Sequence, residues 1–79
     1  MWSVYMVECR DKTFYTGITN DLSRRLAEHN SGTGAKYTRG RGPVVLKYQK
    51  RFKSKGQALR EECIIKRLTK TLKLFLINQ

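Results

Sequence analysis

An arginine and a histidine follow a tyrosine within one short stretch of this 79-residue chain, from Tyr15 to Asn30. The stretch begins as the end of a β-strand, breaks at Thr19-Asn20-Asp21 and continues as a helix. Arg25 and His29 are four residues apart, so they are neighbours on one face of that helix. Arginine binds phosphate through its planar fork and histidine exchanges protons near neutral pH. We therefore take this stretch to be the candidate working centre.

A second tyrosine, Tyr5, reaches the same region if the two N-terminal strands pair. The run from Trp2 to Cys9 is almost continuously apolar, which is typical of a central strand covered on both faces. The run from Thr13 to Ile18 alternates like a second strand, so the two predict a hairpin. With Tyr5 opposite Gly17, Tyr5 and Tyr15 share one face of the sheet, and the glycine leaves room beside the Tyr5 ring.

Capping and turn signals predict the other elements. Asn20 or Asp21 can cap the first helix, which we expect to run from about Asp21 to Asn30 and to end at a left-handed Gly32. The later elements are a strand from Val44 to Tyr48 with Val44, Leu46 and Tyr48 on one side, a helix from about Ser54 to Leu68, and a short helix from Thr69 to Asn78.

The second helix contains the only adjacent pair of acidic residues, Glu61 and Glu62. Glu62 shares a stripe with Ala58 and Ile65, whereas Glu61 shares one with Ile64, so the pattern leaves open which carboxylate faces inward. One reading is structural, with one carboxylate in solvent and the other paired with a neighbouring base (Arg60, Lys66 or Arg67). The other reading is a carboxylate that holds a divalent cation against phosphate oxygens.

The glycine-rich segment from Gly32 to Pro43 predicts a flexible basic loop. Its Lys36, Tyr37, Arg39 and Arg41 combine cations with an aromatic ring, which suits contact with phosphates and bases. We expect these four residues to bind nucleic acid.

Composition narrows the class of partner. Seventeen Lys and Arg residues against six acids give a formal net charge of +11, which indicates nucleic acid ahead of a membrane surface. The length suits a single domain, 1–79, and no obligate protein partner is evident. The sequence shows neither a spanning segment nor a secretion signal, and Cys9 and Cys63 lack metal-ligand spacing. We expect a cytoplasmic protein with two free thiols in its core.

The landmarks together resemble those of the GIY-YIG nuclease superfamily, and most closely its small stand-alone bacterial members. Ser3-Val4-Tyr5 and Tyr15-Thr16-Gly17 look like a diverged copy of the two triplets that name the family. Arg25, His29 and Glu62 then follow in the family's order, so the resemblance covers essentially the whole chain. Ser3 and Thr16 depart from the family's glycine and isoleucine at mainly structural positions. The family's late asparagine has no secure match, although Asn78 lies nearby.

The resemblance implies an α+β fold, with a small three-stranded antiparallel sheet flanked by helices. It also implies a catalytic set of Tyr5, Tyr15, Arg25, His29 and Glu62. In that set Tyr5 is the general base or its relay, His29 assists it, and Tyr15 positions water or phosphate. Arg25 binds the phosphate, and Glu62 holds Mg²⁺ or Mn²⁺ near the leaving oxygen.

Two functions are compatible with these features. The first is a metal-dependent endonuclease acting on branched, nicked or distorted DNA in repair or recombination. The second is a basic module of the same fold that binds nucleic acid, RNA included, with little or no cleavage. The five polar landmarks favour the enzyme, and the lack of an attached targeting module favours the binder.

Overall fold

A computed structural model describes residues 1–78 of the chain. Its elements in order are β1 (Trp2–Glu8), β2 (Phe14–Thr19), α1 (Leu22–Ser31), a 3₁₀ turn (Lys36–Thr38), β3 (Val45–Phe52), α2 (Lys55–Lys66) and α3 (Lys70–Ile77). The strands form one antiparallel sheet in the order β2-β1-β3. The predicted α+β fold with a three-stranded antiparallel sheet is confirmed.

β1 lies in the centre of the sheet and has side chains buried on both faces. On one face Val4 and Met6 pack against Ala58 and Ile65 of α2. The opposite face has a second cluster, made by Tyr5, Val7, Cys9 and Val44 with partly buried Tyr15, Leu22, Leu26 and Leu46 around them. Helices α1 and α2 therefore cover opposite faces, which explains why β1 reads as a continuous apolar run.

The β1–β2 hairpin has the register that was assumed in placing the two tyrosines on one face of the sheet. Tyr5 lies opposite Gly17, and Val7 lies opposite Tyr15. Opposed residues in an antiparallel pair point to the same face, so both tyrosines face α1.

The third strand differs from its prediction because it contains a bulge. Met6 pairs with Tyr48 while the next residue, Val7, pairs with Leu46, so Lys47 is an extra residue in β3. One extra residue reverses the alternation of side chains beyond it. Leu46 consequently packs on the α1 face and Tyr48 on the α2 face. The expectation that Val44, Leu46 and Tyr48 share one side is wrong for Tyr48.

Side-chain caps set where the helices begin. The Asp21 carboxylate accepts from the backbone N–H of Arg24, and α1 ends at Gly32 in the left-handed conformation with φ of 83°. At the start of α2, Ser54 and Gln57 form a reciprocal capping box. These bonds satisfy backbone N–H groups that the first turn of a helix leaves without partners.

Two further expectations from the sequence concern the cysteines and membrane-spanning segments. Cys9 is a buried free thiol, but Cys63 is exposed on α2, so the expectation of two core thiols is wrong for Cys63. Within residues 1–78, no helix has both the length and the apolar character needed to cross a membrane.

Candidate active site

The two tyrosines of the hairpin meet above Gly17. Their ring centroids are 6.4 Å apart. A Cβ atom placed on Gly17 would come within 2.7 Å of the Tyr5 hydroxyl oxygen and 3.2 Å of the Tyr15 ring. The Tyr5 side chain therefore extends across the backbone of β2, the edge strand, and only glycine permits so close an approach.

His29 of α1 binds the Tyr5 hydroxyl. The distance between His29 Nε2 and Tyr5 Oη is 2.8 Å, and the bond is buried. The other ring nitrogen, Nδ1, lies 2.7 Å from Thr38 Oγ1. The Thr38 hydroxyl in turn donates to the carbonyl oxygen of Ala35 at 2.9 Å. Both nitrogens of the imidazole are thus held by hydroxyl groups, and the imidazole and Tyr15 rings pack edge to face at a centroid distance of 5.4 Å.

Burial sets the protonation states of this pair. Tyr5 and His29 are each only 1% exposed. Burial lowers the pKa of His29, and the Arg25 guanidinium lowers it further against a smaller upward effect of Glu28. Burial likewise raises the pKa of Tyr5, although Arg25 partly offsets that rise. At neutral pH the histidine and the tyrosine are therefore both uncharged.

Arg25 occupies the open side of the pair. One guanidinium nitrogen donates to Glu28 Oε1 at 3.1 Å, and the side chain is 29% exposed. The guanidinium also lies within hydrogen-bonding reach of the Tyr5 hydroxyl. A guanidinium carries five N–H donors, so these contacts leave donors for a phosphate beside that hydroxyl. The structure thus brings Tyr5, Tyr15, Arg25 and His29 together on one face of the sheet.

Glu62 lies on α2, which covers the face of the sheet opposite to that of Tyr5 and His29. Its stripe on α2 faces the sheet, because Ala58 and Ile65 are 0% and 1% exposed. Glu61 lies instead beside Tyr48; burial is the main reason why the pKa of Tyr48 is raised, and Glu61 adds to it. Glu62 raises the pKa of Tyr5 slightly, after burial and Tyr15, so its carboxylate is within electrostatic range of that hydroxyl. Its side chain is 17% exposed, and one oxygen lies 3.4 Å from Lys66 Nζ.

In the basic loop, Tyr37 and Arg41 make side-chain contacts beside the site, and Lys36 and Arg39 extend into solvent. Tyr37 stacks on Tyr15 at a centroid distance of 5.8 Å, and the Arg41 guanidinium covers the ring of Tyr37 at 4.4 Å. Arg41 also binds Asp11 at 2.9 Å and the Tyr37 carbonyl at 2.7 Å. Lys36 and Arg39 are exposed and form no ion pair with any residue that the structure describes.

Sequence reasoning did not select two residues that shape this site. Thr38 is 1% exposed and holds His29. Gly34 lies so close that a Cβ there would be 2.6 Å from His29 Nδ1. The composition of the loop contains no signal for either role, because both depend on how the loop folds back over α1.

Comparisons with known proteins find matches over most of this chain. The family model described as the GIY-YIG catalytic domain matches residues 1–75. A UPF0213 protein from Halobacterium salinarum is 55% identical over 73 residues, which are 92% of this chain and 95% of the relative. A UPF0213 protein from Clostridium perfringens is 52% identical over 95% of this chain and 81% of its own length. The UPF0213 designation states no activity.

Solved structures support the same fold. The solution NMR structure of a UPF0213 protein from Bacillus halodurans has 47% sequence identity and a TM-score of 0.63, over 99% of this chain and 84% of that one. A second NMR structure, of a protein from E. faecalis, has 41% identity and a TM-score of 0.57, over 92% of this chain and 83% of that one.

Proposed function

Because this chain belongs to the family of GIY-YIG catalytic domains, a nuclease family, we propose that it is a divalent-metal-dependent endonuclease that hydrolyses DNA phosphodiester bonds. The observation that carries the proposal is the buried hydrogen bond between Tyr5 and a neutral His29, with Arg25 open beside it. A base, its proton acceptor and a phosphate ligand in one place are what hydrolysis of a phosphodiester requires.

The chain's own residues account for removal of the proton from the attacking water. As water attacks phosphorus it loses a proton to the Tyr5 oxygen, while the Tyr5 proton passes to Nε2 of His29 over the 2.8 Å hydrogen bond. His29 ends with a proton on each nitrogen, and the leaving oxygen is protonated from solvent. Arg25 holds the non-bridging oxygens, where negative charge develops, and the half-buried Tyr15 orients the water or the phosphate.

The donor chemistry at Glu62 fits a magnesium or manganese ion. Mg²⁺ is commonly held by one or two carboxylates, with waters and substrate phosphates as its other ligands. Among residues 1–78, no group of three or more His, Cys, Asp and Glu side chains forms a cage for a metal, so phosphate and water would complete the shell. When bound, the ion would neutralise charge on the leaving oxygen.

Two features of the surroundings agree with this assignment of Glu62. The Thr16 hydroxyl is buried without a hydrogen-bond partner in the described part of the chain, and it lies on the α2 face of the sheet, as Glu62 does. The pair with Lys66 is a half-exposed contact of the kind that contributes little stability, so a cation can displace the lysine.

We further propose that the substrate is branched, nicked or otherwise distorted DNA in repair or recombination, inside the cytoplasm. The formal charge of +11 supports a polyanionic partner. Tyr5 is only 1% exposed and Arg25 is 29% exposed, so a strand that can leave its duplex path reaches Arg25 and Tyr15 more readily than a straight duplex does.

The basic surface favours a second function, a binding module without efficient cleavage. The formal charge is +11, and Lys36 and Arg39 are exposed beside the site. Contacts between such cations and phosphates are sufficient for binding and require no metal. In that case DNA or RNA would bind through the same basic surface and remain intact.

Glu62→Gln distinguishes the two functions, and Glu61→Gln is its matched control on the same helix. We expect Glu62→Gln to abolish cleavage and to leave binding equal or slightly tighter, because it keeps the side-chain volume and removes a charge that repels phosphate. Glu61→Gln should retain cleavage, because that carboxylate lies beside Tyr48.

The measurement is cleavage rate and affinity on matched branched, nicked and linear duplexes with Mg²⁺, Mn²⁺ or EDTA. Wild-type protein that binds but leaves every substrate intact with both ions would establish the binding module instead. Equal loss of cleavage in both variants would contradict the placement of the metal at Glu62.

A further inference from the structure

The hydrogen bonds around His29 determine where its proton lies. A hydroxyl group has one proton to donate. Thr38 gives its proton to the Ala35 carbonyl, which can only accept, at 2.9 Å. The Thr38 oxygen therefore faces His29 Nδ1 with a lone pair, and the 2.7 Å contact requires that Nδ1 carry the hydrogen.

A neutral imidazole has one N–H, so a proton on Nδ1 leaves Nε2 bare. Nε2 then accepts the hydroxyl proton of Tyr5 across 2.8 Å. The four groups form a directed chain in which Tyr5 donates to His29, His29 to Thr38 and Thr38 to Ala35.

We propose that Thr38 is a positioning residue that fixes the Nδ1–H tautomer of His29 and thereby keeps Nε2 free to receive the Tyr5 proton. The tautomer assignment is independent of any reaction, whereas its catalytic consequence rests on the proposed function. After the transfer, the charged ring still donates from Nδ1 to Thr38, so this bond persists in both protonation states.

The loop closes off other partners for Nδ1. A Cβ on Gly34 would lie 2.6 Å from Nδ1 and 2.9 Å from the His29 Cα, so the loop backbone lies directly against this side of the ring. His29 and Thr38 are both 1% exposed, which leaves no room for bulk water at Nδ1. Removing the Thr38 hydroxyl would therefore leave Nδ1–H buried without an acceptor, a state that buried groups avoid. The ring would then favour the tautomer with its proton on Nε2, donated to the Tyr5 oxygen.

Imidazole ¹⁵N NMR tests the proposal directly, because the untagged chain contains a single histidine and gives one set of ring signals. At neutral pH we expect wild-type His29 to show a protonated Nδ1 and a bare Nε2. Thr38→Val, which keeps the shape and removes the hydroxyl, should shift the ring towards the Nε2–H form. Thr38→Ser should restore the wild-type spectrum. Thr33→Val is the matched control, because Thr33 is an exposed threonine of the same loop that bonds Ser31 rather than His29.

Cleavage kinetics then test the consequence. We expect kcat to fall about 10- to 100-fold in Thr38→Val, as is typical for loss of a group that orients a reactive residue, with KM nearly unchanged and activity restored in Thr38→Ser. Amide spectra of each variant show whether it folds. If Thr38→Val does not fold, the wild-type and Thr38→Ser ring spectra still decide the tautomer.

Each outcome has one meaning. A wild-type ring protonated on Nε2, or a folded Thr38→Val with an unchanged ring spectrum, overturns the proposal. A shifted tautomer with undiminished cleavage overturns the positioning role. A wild-type protein that shows the Nδ1–H tautomer and cuts no substrate leaves the tautomer assignment standing and contradicts the proposed function alone.

Discussion

At the scale of single residues, the most consequential group is a histidine that folding keeps neutral. Burial, and after it the Arg25 guanidinium, lowers the pKa of His29 below its ordinary 6.5. In the unfolded chain the same side chain titrates near 6.5, so below that pH the unfolded state binds more protons than the native state does. The stability that the neutral ring contributes is therefore fully present above pH 6.5. It is lost as the pH falls towards the lower pKa of His29 in the native state.

We accordingly predict that the free energy of unfolding decreases on acidification through this window. Urea unfolding between about pH 7.5 and pH 5 would show the decrease in wild-type protein. His29→Gln should be less stable at neutral pH, because Tyr5 and Thr38 lose a partner, but its stability should vary much less with pH there. The lowered pKa of Asp11, caused mainly by its bond from Thr13, affects stability only at more acidic pH and does not interfere. Parallel curves for the two proteins would show that His29 is not the group responsible.

At the scale of elements, the hairpin and α2 each contain a glycine. Substituting these two glycines with alanine should have opposite effects on the stability of the protein. On β2, a Cβ at Gly17 would lie 2.7 Å from the hydroxyl and 2.9 Å from Cζ of the buried Tyr5. Forcing the ring aside costs about 1–3 kcal/mol, as overpacking of a core does. On α2, Gly56 has open space around its Cβ position, so Gly56→Ala should stabilise by up to about 1 kcal/mol through helix propensity.

Thermal unfolding of the two variants beside wild type checks this pair. The melting temperature should fall for Gly17→Ala and rise or stay level for Gly56→Ala. Cleavage should also fall in Gly17→Ala alone, because a displaced Tyr5 no longer meets Nε2 of His29. A Gly17→Ala variant as stable as wild type would mean that the tyrosine ring moves without resistance.

The hairpin and α1 could be predicted from the sequence because their signals are local. A period of two and a short turn predicted a hairpin in which both tyrosines share one face, and the observed register pairs Tyr5 with Gly17. Asn20 or Asp21 and Gly32 marked the ends of α1, and Asp21 is the observed cap. The period of the helix also placed Arg25 beside His29. The family's order of residues then selected Glu62 over Glu61, a choice that periodicity had left open. The structure shows that Ala58 and Ile65, which share a stripe with Glu62, are buried against the sheet.

Features that depend on tertiary contacts could not be predicted in this way. The bulge at Lys47 leaves no mark in the sequence, since a lysine fits an alternating edge strand equally well whether or not it is an extra residue. Thr38 and Gly34 belong to a loop whose composition suggests mobility, and their roles arise only when that loop packs over His29. Tyr37 and Arg41 were expected to contact nucleic acid, which stays a prediction. The structure shows that Tyr37 stacks on Tyr15 and that the Arg41 guanidinium lies over the Tyr37 ring.

At the scale of the whole molecule, positive charge is mostly uncompensated. Three ion pairs occur in the described residues, and they engage Arg25, Arg41 and Lys66. Most of the seventeen Lys and Arg side chains thus face solvent without an acidic partner. A surface of this kind attracts nucleic acid through release of counterions, so affinity must depend steeply on salt.

The position of this charge is tested by removing two cations at a time. For duplex DNA the logarithm of affinity falls with the logarithm of salt by about 0.9 per phosphate neutralised, so Lys36→Gln with Arg39→Gln should flatten the slope by roughly 1.8. Lys70→Gln with Lys73→Gln on α3 removes the same net charge from a helix that packs against the far face of the sheet. That control should leave the slope nearly unchanged.

Arg41→Gln should mainly destabilise the fold, because it breaks the bonds to Asp11 and the Tyr37 carbonyl. Fluorescence anisotropy over a series of salt concentrations measures all four proteins on one labelled duplex. Equal flattening by the two double variants would show that DNA binds over the whole basic surface rather than beside Tyr5, Arg25 and His29.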